Sequence, residues 1–385
     1  MKKKSTRSSS RGKNSSVLIN KEVVMQDSFQ KKKELSVKPV ISKGFFQTLA
    51  MAMILFLVLY GLNGLFLGRA GTQYILSGQK DTETSYDVIF AGSSHMNNAV
   101  YPMILWEEYG FTSFNNAQSG EILPVSYYTC KEAIEKYHPK VLVLDVYMIY
   151  HSRRDGNISW MHQSVDRLSA TNRIPAILNL VPLKNWEEFL FPLTLYHSRW
   201  KELSEADFVG ENSVSKGCAQ NFTVAEDIIG LTFESTPENV KVQPPEIPVE
   251  YLNKIVDLCK QTDTELLLVA LPYFISDKLE ATHDLSNDIA YFNWVSDFSK
   301  EKQIPYINYF YLVDEIGFDW WECLYNYSHM NYWGGSIITQ HIGEYLNTHY
   351  NLPDRRKDPN YQHWNIDLKI YQKQVDKKLS QVTVK

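Results

Sequence analysis

Cysteine is scarce: the 385-residue chain has 4, at positions 130, 218, 259 and 323, and none forms a C-x-x-C pair. That spacing argues against a zinc knuckle or a dithiol redox pair. Disulfides outside the cell remain open, but Cys130 and Cys259 fall on apolar helical stripes, which favours buried core thiols. No segment repeats at solenoid periods, there is no nucleic-acid motif, and no G-x-S-x-G elbow occurs. Nothing calls for a cofactor or a metal ion. Acid is scarce at one end only: the first 43 residues hold 12 Lys/Arg against 3 Asp/Glu, while the remainder holds 27 against 41. A basic tail by itself does not make a nucleic-acid binder.

Long apolar runs are equally scarce, which isolates Phe45 to Leu67, 23 residues without a charge. Roughly 20 apolar residues span a bilayer. The run exceeds a signal-peptide core, lies far from the first residue and is not followed by a small-x-small cleavage site, so it reads as an anchor. The expected organisation has four parts. Residues 1–43 form a disordered basic tail suited to anionic headgroups, and 44–68 a transmembrane helix. Residues 69–352 form the working domain, and 353–385 a polar arm that either packs or stays loose. The excess of Lys/Arg before the apolar run places the tail in the cytoplasm and the domain outside.

After a stalk, strand and helix signals alternate: "VIFAG" (Val88–Gly92), a helix at Met103–Tyr109, "SFNNA" (Ser113–Ala117), and a helix at Leu123–His138. "KVLVLDVY" (Lys140–Tyr147) is a continuous apolar run of the kind buried in parallel sheets. The alternation lapses in an insertion at about 148–248, then returns with a helix carrying Leu252, Ile255, Val256 and Cys259. The strand at Thr264–Tyr273, a helix carrying Tyr291 to Phe298, "IPYIN" (Ile304–Asn308) and a helix at Tyr332–Tyr350 follow. The expected fold class is α/β with a parallel sheet, preceded by one transmembrane helix.

In such sheets, functional groups collect beyond the carboxyl ends of the strands. Three ends are polar: Gly92-Ser93-Ser94-His95, Asn115 to Gly120, and Asp145 with Tyr147. A serine at a strand-to-helix turn can expose its hydroxyl, but Ser is also a common N-cap. Of the 10 histidines, His138 lies at a helix end before Pro139, and His341 and His349 belong to the last helix. His329 differs, since "YNYSHMNYWGGS" (Tyr325–Ser336) is a polar loop just ahead of that helix.

"GSSH", "NNAQSG" and "SHMNYWGG", in that order and spacing, resemble the first, second and fifth blocks of the SGNH hydrolases. The resemblance covers roughly residues 86–351. It points to a membrane-anchored bacterial branch that resembles the D protein of teichoic-acid D-alanylation and the alginate O-acetylation proteins. It implies a flavodoxin-like three-layer fold, Ser94 as nucleophile and His329 as general base. Gly120 and the Ser94 N–H are the implied oxyanion donors, with Ser93 where the family's Asp often stands. Two departures stand out. No Asn follows the third strand, and the D-x-x-H carboxylate is replaced by Asn326. An Asn can orient an imidazole but not stabilise its cation. Asp145 or Glu322 is a candidate for the missing charge.

Other positions carry two readings each. His95 shapes the loop or touches substrate, Asn116 binds or merely turns, and Tyr147 donates toward substrate or walls the core. His197 and Arg199, in "FPLTLYHSRW", contact an anion or pack. The resemblance implies an O-acyltransferase or esterase acting on a cell-envelope polysaccharide or teichoic-acid-like glycopolymer beside a membrane-bound O-acyltransferase. A non-catalytic glycan-binding or assembly component is the alternative; a lipase-like esterase ranks third.

Overall fold

Five short strands, almost all apolar, form the centre of the globular part: β1 (Val88–Ala91), β2 (Ser113–Asn115), β3 (Val141–Asp145), β4 (Glu265–Ala270) and β5 (Tyr306–Asn308). Every residue of β1 and β3 is buried, as expected of strands covered on both faces. All pair in parallel in the order β2-β1-β3-β4-β5. The protein has therefore a mixed α/β fold with a parallel five-stranded sheet. The computed structural model describes residues 43–67, 83–201, 214–279, 281 and 283–382.

The order reverses at β1, so right-handed crossovers place helices on opposite faces of the sheet. The β1–β2 connection holds α2 (Ser94–Ala99) and α3 (Pro102–Tyr109); β2 leads to α4 (Leu123–Tyr137). The expected insertion is helical: α5 (Ile158–Val165), α6 (Ala170–Leu180), α7 (Trp186–Leu190) and α8 (Leu193–Tyr196). The sheet resumes after α9 (Glu246–Gln261), which packs on α4, and α10 (Asp288–Lys302) joins β4 to β5. A one-turn helix α11 (Trp320–Cys323) precedes a hairpin of β6 (Leu324–Asn326) and β7 (His329–Met330), and α12 (Tyr332–His349) packs on α2 and α3. His138 ends α4 in the left-handed region, donating its N–H to the Ile134 carbonyl.

The C-terminal arm packs. Helix α13 (Gln362–Val382) buries Trp364, Tyr371 and Val375, and the Lys216 ammonium lies 4.4 Å above the Trp364 ring while pairing with Asp367 at 2.8 Å. The preceding "PDRR" is structural: Arg355 clamps Asp87, at the entry to β1, with bonds of 2.7 and 2.8 Å. All four cysteines are buried and free.

Helix α1 (Lys43–Leu67) is the one helix among the described residues long and apolar enough to cross a membrane, over Gly44–Leu62. The basic tail before residue 43 and most of the stalk lie outside the described residues.

Candidate active site

Two serines end β1 and divide the work between them. Ser93 is buried and is the N-cap of α2, its Oγ accepting the His95 N–H at 3.3 Å. Ser94 is therefore the first helical residue, half-buried, with a hydroxyl free of capping duty. Gly92 makes the turn possible. Its φ is 139°, and a Cβ there would lie 2.9 Å from Asp145 Cβ.

The Ser94 hydroxyl meets His329 Nε2 at 2.7 Å. Cross-strand pairing sets Asn326 on β6 opposite His329 on β7, which turns a three-residue sequence interval into a side-chain contact. Asn326 Oδ1 accepts three bonds: the N–H of Ser328 at 2.9 Å, the N–H of His329 at 2.9 Å, and His329 Nδ1 at 3.0 Å. Two of those donors are backbone amides, so the atom facing them must be the amide oxygen, not nitrogen. The same oxygen then requires Nδ1 to carry the imidazole proton. Nε2 is left with its lone pair toward Ser94, the tautomer a general base needs.

Among the described residues, no carboxylate bonds to this imidazole. Burial lowers the His329 pKa to about 4. Asp145 does not supply the missing charge: it lies against Gly92, with Oδ1 accepting the Tyr147 N–H at 3.2 Å, and makes no bond to His329. Burial pushes its carboxyl up to about 7, against the Tyr147 and Leu271 N–H groups and the Ser93 hydroxyl. Glu322 points its side chain to solvent from α11, and Asn326 already occupies Nδ1.

The second loop is tied to the first. The Gln118 N–H donates to the Gly92 carbonyl at 3.1 Å, and Asn97 Nδ2 to the Ala117 carbonyl at 3.1 Å. Gly120 closes this loop with φ 63°, under the indole of Trp160, where a Cβ would fall 1.9 Å from a ring carbon. Asn116 turns away. Its Nδ2 reaches the Thr129 carbonyl at 3.4 Å, and its Oδ1 accepts from Arg167 at 2.9 Å, so it braces α4 and the insertion.

His95 is packed into the loop. It is buried, stacks on Tyr147 at 3.5 Å, and its Nε2 lies 2.9 Å from Ser328 Oγ, which bridges β1 to the turn carrying His329. Burial first, then His329 and His283 nearby, hold its pKa well below the ordinary value. Tyr147 is a buried wall of this cluster. His197 is exposed in a 3-10 turn, and the Arg199 side chain lies outside what is described.

Sequence reasoning assigned no role to three residues. Ser328 carried no signal, because its partner is 233 positions away. Asn115 Nδ2 donates to the Met96 and Val100 carbonyls at 2.9 and 3.0 Å, holding the far end of α2. Asn331 did carry a signal, an Asn just before an apolar helix. Its Oδ1 caps α12 through Trp333 and Gly334 N–H, and its Nδ2 reaches the Glu322 and Leu324 carbonyls, locking the hairpin to α11.

No protein-family profile matches the chain, and no curated protein matches it significantly. Among solved structures it is similar to the psychrotrophic esterase EstA from Pseudoalteromonas sp., at 10% identity over 68% of this chain and 97% of that one, TM-score 0.34. A protein of Desulfitobacterium hafniense named for the lipolytic G-D-S-L family aligns at 12% identity over 68% of this chain and 99% of its own, TM-score 0.35. A Bacteroides fragilis protein named as an acylhydrolase aligns at 11% identity over 70% and 89%, TM-score 0.35.

Proposed function

We propose that this is a membrane-anchored SGNH-type acyltransferase or esterase whose Ser94–His329 pair works on an extracytoplasmic cell-envelope glycopolymer. The observation that carries the reading is the Ser94 Oγ to His329 Nε2 contact at 2.7 Å, with Asn326 holding the productive tautomer. As Ser94 Oγ bonds to an acyl carbonyl carbon, His329 Nε2 takes its proton. The tetrahedral oxyanion lies by the Ser94 N–H at the start of α2, with the Gly120 N–H as second donor. Collapse breaks the bond to the leaving oxygen, which takes the proton back from His329. A sugar hydroxyl or water then gives its proton to His329 as it attacks acyl-Ser94, and when the bond from the acyl carbon to Oγ breaks, His329 returns that proton to Ser94.

Support for the setting comes from α1, the one span-length apolar helix among the described residues, and from the basic excess ahead of it. The SGNH-like arrangement of blocks further suggests a membrane-bound O-acyltransferase as partner and acetyl as the group transferred. A second reading, a non-catalytic glycan-binding or assembly component, draws on the neutral Asn326 and on the lack of an Asn beyond β3.

The two readings separate in a strain lacking the gene, complemented with wild type, Ser94→Ala or His329→Ala and scored for envelope acyl esters. Catalysis predicts that both variants fail while remaining folded. Equal restoration by all three sinks it and leaves the binding role. Mass spectrometry of protein quenched with an activated acetyl ester should find the acyl group on Ser94.

A further inference from the structure

We infer that the helical insertion is a bilayer-docking surface, which seats the Ser94 cleft against the lipid. The inference rests on the anchored reading of α1. Scattered exposed apolar residues are ordinary, and a concentration of them is not. Of the sixteen large apolar residues exposed after α1, among those described, eight fall between positions 160 and 200. Leu183 is 75% exposed, Phe191 64%, Trp200 63% and Leu195 44%. Helix α6 shows the inversion most clearly. Asn172, Ala176 and Ile177 are buried on one side, while Ile174 and Leu178, one turn apart, face outward.

Three observations select a bilayer as the occupant. The first is reach: fifteen residues separate Leu67, at the end of α1, from Glu83, where the globular part begins. They span at most about 50 Å, so an anchored domain stays within its own diameter of the surface. The second is charge. Arg167 and Arg173 are largely buried, and the surface charges described in residues 160–201, Lys184 and Lys201 against Glu187 and Glu188, balance. This face therefore lacks the acidic excess of 41 against 27 that residues after 43 carry and that anionic headgroups would repel. Lys184 and Lys201 are exposed among the apolar side chains, a mixture suited to an anionic interface. The third is residue type, because Trp200, with the Lys201 ammonium 5.7 Å from its ring, is the pairing that settles at headgroup depth.

The surface is joined to the site. Trp160, 44% exposed on α5, lies over Gly120, so the helices that meet lipid also roof the second loop of the cleft. Docking in this pose presents the cleft to chains held at the membrane and keeps it from free polymer. The substrate class that follows is a lipid-anchored or membrane-proximal glycan.

The test uses the full chain reconstituted alone in lipid nanodiscs, with an environment-sensitive fluorophore on a cysteine introduced at position 183, 191 or 200. The native cysteines are buried, and Lys260, exposed at the end of α9, is the control position. Brominated lipid should quench the three insertion labels at least about twofold more than the control. Leu183→Glu with Phe191→Glu should bring the label at 200 down to the control level without changing the melting temperature. Labels that match the control in lipid alone overturn the inference, as do labels shielded only when a second membrane protein is added. Failure of the chain to enter nanodiscs would instead strike the anchored reading of α1, and quenching is silent about whether Ser94 reacts.

Discussion

At the scale of single residues, Asn326 decides how this site works. Loss of the triad carboxylate can reduce turnover by about four orders of magnitude when the histidine also adopts the wrong tautomer. Here three donors converge on Asn326 Oδ1 and keep the right one, so only the charge is lacking. Asn326→Asp is therefore expected to raise kcat/KM on a small acetyl ester by about tenfold to a hundredfold. The pH profile should move with it. On the proposed reading His329 accepts a proton only when neutral, and its pKa is lowered to about 4, so wild-type activity should hold as pH falls until about 4. With the carboxylate in place, the acid limb should climb toward the ordinary histidine value near 6.5. An acid limb that stays where it was would show that residue 326 does not govern His329.

Asp145 makes the opposite linkage. A carboxyl held near 7 in the folded state and near 4 in the unfolded one contributes stability at low pH, and loses it as pH rises toward 7. Asp145→Asn should thus raise the melting temperature, and by more at pH 8 than at pH 5. Equal shifts at both values would refute the buried-acid assignment. His329 works in the other direction, since its depressed pKa makes stability fall as pH drops from about 6.5 through 4.

At the scale of elements, the β6–β7 hairpin is the part that must not move. It is only two and three residues wide, too short to be stable alone, and it depends on Asn331 and on the Ser328–His95 bond. Asn331→Ala removes a helix cap and the Nδ2 bonds to the Thr223, Glu322 and Leu324 carbonyls, of which Leu324 keeps the Ala225 N–H. The expected loss is about 2–4 kcal/mol in urea unfolding, with kcat falling more than KM rises. Full activity in a folded Asn331→Ala protein would mean that the hairpin is held by other contacts. The insertion shows a different logic. Its inner face is packed, while Leu183, Phe191 and Trp200 are exposed on its outside, as the docking proposal requires.

At the scale of the whole molecule, the site lies where the strand order reverses, between β1 and its two neighbours β2 and β3. The loops after these strands diverge there, which leaves a crevice. The C-terminal helix closes the other side of the fold. Trp364 is fully buried, 5.1 Å from the Trp106 ring and under the Lys216 ammonium. Trp364→Ala should cost about 3–5 kcal/mol, read as a lower denaturant midpoint. A loss below about 1 kcal/mol would show α13 to be an accessory arm.

Periodicity and apolar runs were enough to read the strands, most helices and the span-length run of α1, because each depends on neighbours in sequence. Ser94 and His329 stood out as polar loop residues beside regular elements, but their roles came from what the resemblance to the SGNH hydrolases implies. What the sequence could not settle was every choice between residues distant along the chain. Asp145, and Glu322 as a second choice, stood as candidates for a charge, and the fold buries the first under Gly92 and turns the other to solvent. His95 and Ser328, Asp87 and Arg355, Gly120 and Trp160 meet only because the sheet order and the insertion bring them together. Local pattern determined which residues were available for chemistry; tertiary packing, through burial and cross-chain hydrogen bonds, decided which of them face one another.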